Sequence, residues 1–504
     1  MDNLHEGRKR AVVAAVQMAA VSDFDFGESV NELRHLATTL GFEVVATFVQ
    51  RRGKFDSKAY LGVGKRQEVA RFIRNQPEPD DTQSQIALHA AVDDDATADA
   101  SAPSRVHKRN DGTTGKTARH EAADPGEQMS GPANPHTRLA DVLLVDDEIS
   151  PLQALNLAKE VGCEVMDRTM VILEIFQRHA RSRAAHAQVE IVRLGYMAPR
   201  MREAARLARP AGRQRSGAGG RGAGESQGEL DRRKVRDRIV ELQKEIDAID
   251  VDRQTQRARR REHLGLARVA LVGYTNAGKS TLMRALTGSQ VLIADKLFAT
   301  LDTTVRALHP ESIPRVLVSD TVGFIKNLPH GLVASFKSTL EEALEASLLV
   351  HVIDANDPGF ERQIAVTEKV LDEIGANAVP RILVFNKIDR VGDLDAQNNL
   401  TVALRTTHPD SIVMSAQRDG DITALRETIT AFFRRNLVET EFLLPWSAQQ
   451  LRGEIYEYCE VLEERSEAEG TYFRVRGDRE AVNRLNKQLG RSPDVDEASG
   501  AHKP

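Results

Sequence analysis

Short apolar runs alternate along much of this chain with segments whose apolar residues recur every three or four positions. Ala11–Val16 is apolar throughout and rich in β-branched residues, which predicts a buried strand. The pattern then predicts a helix over Ser29–Leu40 ended by Gly41, a strand over Glu43–Val49, and a glycine loop Leu61–Lys65 leading into a helix to about Arg74. Further on, Ala140–Val145 reads as a strand ending in Asp146, Asp147 and Glu148. Ser150 caps a helix with Pro151 in its first turn and Gly162 just past its end. Glu164–Met166 is another strand, and Thr169 opens a helix carrying Ile172, Leu173, Ile175 and Phe176. Strands alternating with helices predict a parallel sheet.

Two stretches break this pattern. Residues 76–137 run from an Asp-rich half through a basic patch, Ser104–Arg109, to a Gly/Pro/Asn/Thr-rich end, and read as a disordered insert. Residues 211–228 are Gly/Arg/Ser-rich and predict no packed element. Between them Val189–Arg206 reads as helical. Beyond them Val235, Ile239, Leu242, Ile246 and Ile249 alternate spacings of four and three, the apolar stripe of a helical hairpin or short coiled coil. Arg253, Arg257, Arg259, Arg260 and Arg261 extend it as a basic stalk.

A second α/β unit follows from Arg268, with strands at Arg268–Val272, Val316–Ser319, Arg381–Phe385 and Ser411–Met414. Past Phe432 the pattern predicts a strand from Glu441, a helix over Ala448–Cys459, a strand over Thr471–Arg476 and a last helix over 479–489. The expected division is an N-terminal parallel α/β domain over 1–210, a Gly/Arg loop and helical stalk over 211–265, a nucleotide domain over 266–436, and a small α/β appendage with a loose tail over 437–504.

Composition narrows the options without deciding among them. The 504 residues suffice for about three domains, and 69 basic against 74 acidic residues leave a net charge of -5. Bulk charge therefore does not announce a nucleic-acid protein; the local arginine clusters must carry that argument. Two cysteines, Cys163 and Cys459, exclude a disulfide framework and fit a reducing compartment. No segment has the ~20 apolar residues of a membrane helix. The basic-then-apolar start, Arg8–Val16, imitates a signal peptide, but Gln17, Asp23 and Asp25 interrupt it.

Chemistry enters at the strand ends. Gly273, Tyr274, Thr275, Asn276, Ala277, Gly278, Lys279 and Ser280 form G-x-x-x-x-G-K-S between a strand and a helix, the context of a phosphate-binding loop. Its glycines let backbone N–H groups converge on an anion, and the helix adds its positive end. Lys279 is placed to reach the β- and γ-phosphates and Ser280 to ligate Mg²⁺. The next strand ends in Asp320, Thr321, Val322 and Gly323, where Asp320 would hold Mg²⁺ through water and the Gly323 N–H would sense the γ-phosphate. Asn386, Lys387, Ile388 and Asp389 follow another strand. The Asp389 carboxylate can accept both N1–H and the N2 amino proton of guanine, a donor pair adenine lacks, so the motif selects GTP. Lys387 would lay its stem over the purine, and Ser415, Ala416 and Gln417 would offer N–H groups to guanine O6. Four such motifs in order point to a GTPase and leave a small-molecule kinase little room. Phe324 stands where a water-orienting glutamine follows the D-x-x-G motif in Ras-like proteins, and it cannot polarise water, so slow intrinsic hydrolysis is expected.

With these motifs the sequence resembles the HflX family of translation-factor-related GTPases. Leu297, Phe298, Ala299, Thr300, Leu301 and Asp302 look like its switch I, which implies Thr300 as the second hydroxyl ligand of Mg²⁺. Thr303, Thr304, Val305 and Arg306 depart from the family's Pro-Thr-Thr-Arg. Gln50–Arg52, Tyr60–Lys65, Ser150, Pro151 and Gln153, and Asp167–Thr169 resemble its N-terminal signatures. Arg221–Glu225 and Asp231–Arg233 do so too, although Ala223 and Gly228 replace the family's Pro and Leu. Asn276 looks like the residue that coordinates K⁺ in potassium-activated relatives, making K⁺ a second cation to consider. The resemblance implies a monomeric cytoplasmic GTPase that binds the large ribosomal subunit and splits or rescues stalled ribosomes. Its basic stalk and Gly/Arg loop would meet rRNA. The contrasting option is a non-ribosomal switch or scaffold GTPase, partly at a membrane surface.

Overall fold

A computed structural model describes residues 8–76, 138–207, 227–263, 267–288, 297–298, 303–312, 315–326, 342–435 and 437–489. The expected insert, but for residue 76, lies outside them, as do most of the Gly/Arg stretch and the side chains of residues 252–263, which include the stalk arginines.

The N-terminal part is a four-stranded sheet of order β2-β1-β3-β4, built from β1 (Arg10–Met18), β2 (Glu43–Arg52), β3 (Val142–Val145) and β4 (Glu164–Asp167). All its pairings are parallel. β1 is central and covered on both faces, which explains why its sequence is continuously apolar rather than alternating. Helices α1 (Asp23–Thr39), α2 (Val63–Ile73), α3 (Pro151–Val161) and α4 (Arg168–His179) cover the sheet. The α3 ends are as expected. Ser150 and Gln153 make a reciprocal capping box, and Gly162 closes the helix in the left-handed region at φ 79°. Two starts differ. α1 begins at Asp23 rather than near Ser29, because Ser22 caps it by accepting the Asp25 N–H. Asp23 and Asp25, which look like a break in the sequence, are first-turn acids favoured by the helix dipole. α4 begins one residue before Thr169, capped by Asp167.

Helices α5 (Arg183–Leu207) and α6 (Gln227–His263) pair as the expected hairpin. Leu242 and Ile246 bury against Ala187 with Ile191 and Leu194 beside them, while Val235, Ile239 and Ile249 are half-buried. Buried Asp167 ties the hairpin to the sheet, taking hydrogen bonds from Tyr196 and Arg200.

The second sheet has six strands in the order β10-β9-β8-β5-β7-β6. Its members are β5 (Ala267–Val272), β6 (Thr304–Ala307), β7 (Val316–Asp320), β8 (Leu348–Asp354), β9 (Arg381–Asn386) and β10 (Ile412–Val413). All pairings are parallel except β6 with β7. Helices α7 (Lys279–Thr287), α8 (Phe360–Glu373), α9 (Leu394–Thr407) and α10 (Asp419–Arg434) pack on it. The two sheets share one core, in which Leu36, Val171 and Phe176 of the N-terminal layer join Phe298, Val322, Phe324 and Ile325 of the second. The α/β expectation therefore holds for both units.

The C-terminal part is an antiparallel sheet of order β11-β13-β12, formed by β11 (Leu437–Pro445), β12 (Cys459–Ser466) and β13 (Gly470–Asp478). Helices α11 (Arg452–Tyr458) and α12 (Arg479–Gln488) complete it around Phe442, Leu444, Phe473 and Val475. The helix expected to run from Ala448 to Cys459 is shorter, and β12 follows it where no strand was expected. Its glutamates hide the strand in the sequence; in the sheet Glu460 stands opposite Arg476 and Glu463 opposite Arg474, so the charges face one another across the ladder.

Candidate nucleotide site

The phosphate loop joins β5 to α7 in a conformation that only glycine permits at two points. Gly273 has φ 143° and Gly278 φ 100°; a Cβ on the first would lie 2.2 Å from the Val352 carbonyl oxygen, and on the second 2.3 Å from Asn386 Nδ2. The loop thus lies directly on β8 and on the end of β9. Asn276 also takes the left-handed region at φ 60°. Lys279 is buried at the start of α7, and its Nζ donates to the carbonyls of Gly273 (3.0 Å) and Tyr274 (2.7 Å). Burial pulls this ammonium down to about 8; the Asp320 carboxylate opposes that shift and the Lys387 charge adds to it.

Ser280 and Asp320, expected to share Mg²⁺, are brought together: the hydroxyl donates to Asp320 Oδ2 at 2.7 Å. A hydroxyl and a carboxylate oxygen at this spacing are the hard donors Mg²⁺ prefers. Thr300, with Ala299, Leu301 and Asp302, lies outside the described residues. Leu297 and Phe298 sit against the N-terminal layer, where the Leu297 N–H donates to Thr39 Oγ1 (3.2 Å) and the Phe298 ring packs 4.6 Å from that of Phe176. After β7, Thr321 is buried and donates to the Leu271 carbonyl, and Val322 enters the shared core. Gly323 lies so close to the phosphate loop that a Cβ would fall 2.9 Å from Thr275 Cα and 3.0 Å from Lys279 Nζ. Phe324 is a buried core residue whose backbone pairs with the loop, donating to the Gly273 carbonyl (3.1 Å) and accepting from the Thr275 N–H (2.8 Å).

On the other side of the loop, Asn386 bridges two motifs: its Nδ2 donates to the Ala277 carbonyl and its Oδ1 accepts from the Ala416 N–H, both at 2.9 Å. Lys387 Nζ donates to the Asn276 carbonyl (2.6 Å). Ile388 is buried, and Asp389 stands half-buried in the turn after it. The expectation for Ser415, Ala416 and Gln417 needs refinement, because all three N–H groups already have internal acceptors. Ser415 donates to Asp421 Oδ2 (2.8 Å), Ala416 to Asn386, and Gln417 to Ser415 Oγ (3.2 Å). A contact with guanine O6 would have to share or replace one of these bonds, and Gln417 holds the longest.

Comparison with known proteins matches this architecture along most of the chain. A family model described as GTP-binding GTPase N-terminal matches residues 27–81 and 133–177. One described as GTP-binding GTPase Middle Region matches 179–260, and one described as 50S ribosome-binding GTPase matches 268–387. GTPase HflX of Gluconacetobacter diazotrophicus is 47% identical over 95% of this chain and 97% of its own length. The chain belongs to the HflX family of GTPases. GTPase HflX of Caldanaerobacter subterraneus subsp. tengcongensis is 34% identical over 93% of this chain and 91% of its own. That of Escherichia coli is 39% identical over 66% of this chain and 76% of its own. As a member of this family with a P-loop GTPase fold, the chain binds and hydrolyses GTP. The first model stops at residue 81 and resumes at 133, so most of the expected insert has no counterpart in it. No helix among the described residues is long and apolar enough to cross a membrane.

Sequence reasoning missed how this HflX GTPase joins its two sheets. Tyr274, expected only as a member of the phosphate-binding loop, donates its hydroxyl to Glu32 Oε1 (2.5 Å) and accepts from the Lys326 N–H (2.7 Å). Glu32 also pairs with buried Arg168, which reaches Asp146 Oδ1 at 3.0 Å. A cavity of about 1010 Å³ opens beside this contact, between one face of α1 (Glu28, Asn31, His35) and Thr275, Asn276 and Asp354. No local pattern signals a bond between residues 242 positions apart. Tyr274→Phe keeps the ring but removes the partner of Glu32 Oε1 and of the Lys326 N–H. The cost should be about 1–3 kcal/mol of unfolding free energy by urea titration. A variant as stable as the wild type would mean the hydroxyl contributes nothing net.

Proposed function

We propose that this GTPase binds the large ribosomal subunit under nucleotide control and splits or rescues stalled ribosomes. The observation that carries the reading is the match of the nucleotide unit to a family model described as a 50S ribosome-binding GTPase. The proposed division of labour follows the four segments expected above. The nucleotide unit senses GTP, the N-terminal layer and stalk engage rRNA, and the appendage over 437–504 is accessory. At the site, Lys279 contacts the β- and γ-phosphates, the Gly323 N–H contacts the γ-phosphate, and Asn386, Lys387 and Asp389 frame the base. Ser280, Thr300 and Asp320 hold Mg²⁺, which when bound neutralises charge on the phosphate oxygens. Leu297 and Phe298 rest on the N-terminal layer and Tyr274 is bonded to it, so rearrangement around the γ-phosphate has a direct path to that layer.

Gradient co-sedimentation with GTP, GDP and a non-hydrolysable analogue tests the ribosomal part. The triphosphate states should enrich the protein with large subunits, and raising salt from roughly 50 to 200 mM should release it if phosphate contacts dominate. Absence from the large-subunit fractions in every nucleotide state would leave the non-ribosomal switch as the surviving reading.

A further inference from the structure

We infer that Asp354 is a positioning residue of the nucleotide site, holding the Lys387 ammonium at the phosphate loop so that its stem is ready for the base before nucleotide arrives. Asp354 is the last residue of β8 and lies opposite Asn386 in the sheet register. One carboxylate oxygen, Oδ1, accepts the Asn356 N–H at 3.0 Å, which fixes the side chain in a tight turn. The other, Oδ2, accepts from Lys387 Nζ at 2.8 Å. The two side chains are only 18% and 12% exposed, so the pair is shielded from the water that makes surface ion pairs nearly worthless. The same ammonium donates to the Asn276 carbonyl, and both residues it links are in the left-handed backbone region, Asn276 at φ 60° and Lys387 at φ 65°.

The physical need is plain. A lysine has a flexible four-carbon stem and a strongly hydrated head, so it holds one pose only when its head is tied. A single carbonyl would leave it free to swing into the adjoining cavity, which Asp354 itself lines. Pre-ordering of this kind strengthens binding by lowering the ordering cost at the moment the ligand docks.

This inference rests on the guanine-nucleotide reading of the site, and a double-mutant cycle separates the two. Dissociation of fluorescent GDP and GTP is measured on the full-length chain for Asp354→Ala, Lys387→Ala and the double variant, with KM and kcat for GTP. Asp354→Ala should weaken both nucleotides by about tenfold, through faster release and a higher KM rather than a lower kcat. The double variant should bind no worse than Lys387→Ala alone. Asp354→Asn, which keeps the shape and one of the two acceptors, should recover only part of the loss and guards against a folding defect. If Lys387→Ala matters but Asp354→Ala does not, or if the two losses simply multiply, Asp354 does not act through Lys387. If Lys387→Ala itself has no effect, the reading of the base site fails instead.

Discussion

Lys279→Ala should lower single-turnover GTP hydrolysis by about three orders of magnitude, the upper end for loss of one preorganised charge in a closed site. In the structure its ammonium is enclosed by the loop it would serve, bonded to the Gly273 and Tyr274 carbonyls. Phosphate oxygens arriving at the loop would gain a charge already held in place, with no side chain to order. The slot has no slack: a Cβ on Gly323 would lie 3.0 Å from Nζ. Lys279→Arg should therefore fail to rescue, since a planar guanidinium is bulkier than an ammonium. The pH dependence follows from the same burial. With its pKa lowered to about 8, the free protein's Lys279 loses its proton as pH rises through that value, so the apparent KM for GTP should climb there. Hydrolysis by Lys279→Ala within tenfold of the wild type would remove Lys279 from the mechanism.

The sequence exposed this site because its chemistry sits where apolar runs stop. Asp320 closes β7 and Asn386 closes β9, so a reader who finds the strands finds the residues. Asp354 closes β8 in the same way, but it belongs to no familiar motif and only the Lys387 contact gives it meaning. What stayed hidden is contact between distant segments. Thr39 to Leu297 and Glu32 to Tyr274 each join the first helix to the nucleotide unit, and the periodicity of α1 gives only its apolar face, Val30, Leu33, Leu36 and Ala37. The polar face of that helix looks solvated in the sequence, yet Glu32 on it bonds the phosphate loop. Phe298 carries the same lesson from the other side. It lies in a motif segment expected to bind nucleotide, yet it spends its ring on the core shared by the two sheets, which also holds Phe324.

Asp389→Asn should exchange guanine for xanthine. An aspartate offers two acceptors to the N1–H and N2 amino protons of guanine, whereas asparagine offers one acceptor and one donor. Xanthine keeps N1–H but carries an oxygen in place of the amino group, so it matches asparagine and clashes electrostatically with aspartate. A site built around such a pair discriminates strongly, because the wrong base leaves buried polar groups unpaired. Affinity for GTP should fall by roughly two to three orders of magnitude and XTP should become the preferred ligand. The frame around the substitution should persist. The turn carrying Asp389 is held by backbone bonds from Ile388 to Met414 and from Arg390 to Lys387, and Asn386 is fixed independently by Ala277 and Ala416. Competition binding of GTP and XTP to the wild type and the variant reads the outcome directly. An unchanged preference would make Asp389 a surface carboxylate on a turn, and base selection would then have to come from the backbone of Ser415–Gln417, whose N–H groups are already committed within the chain.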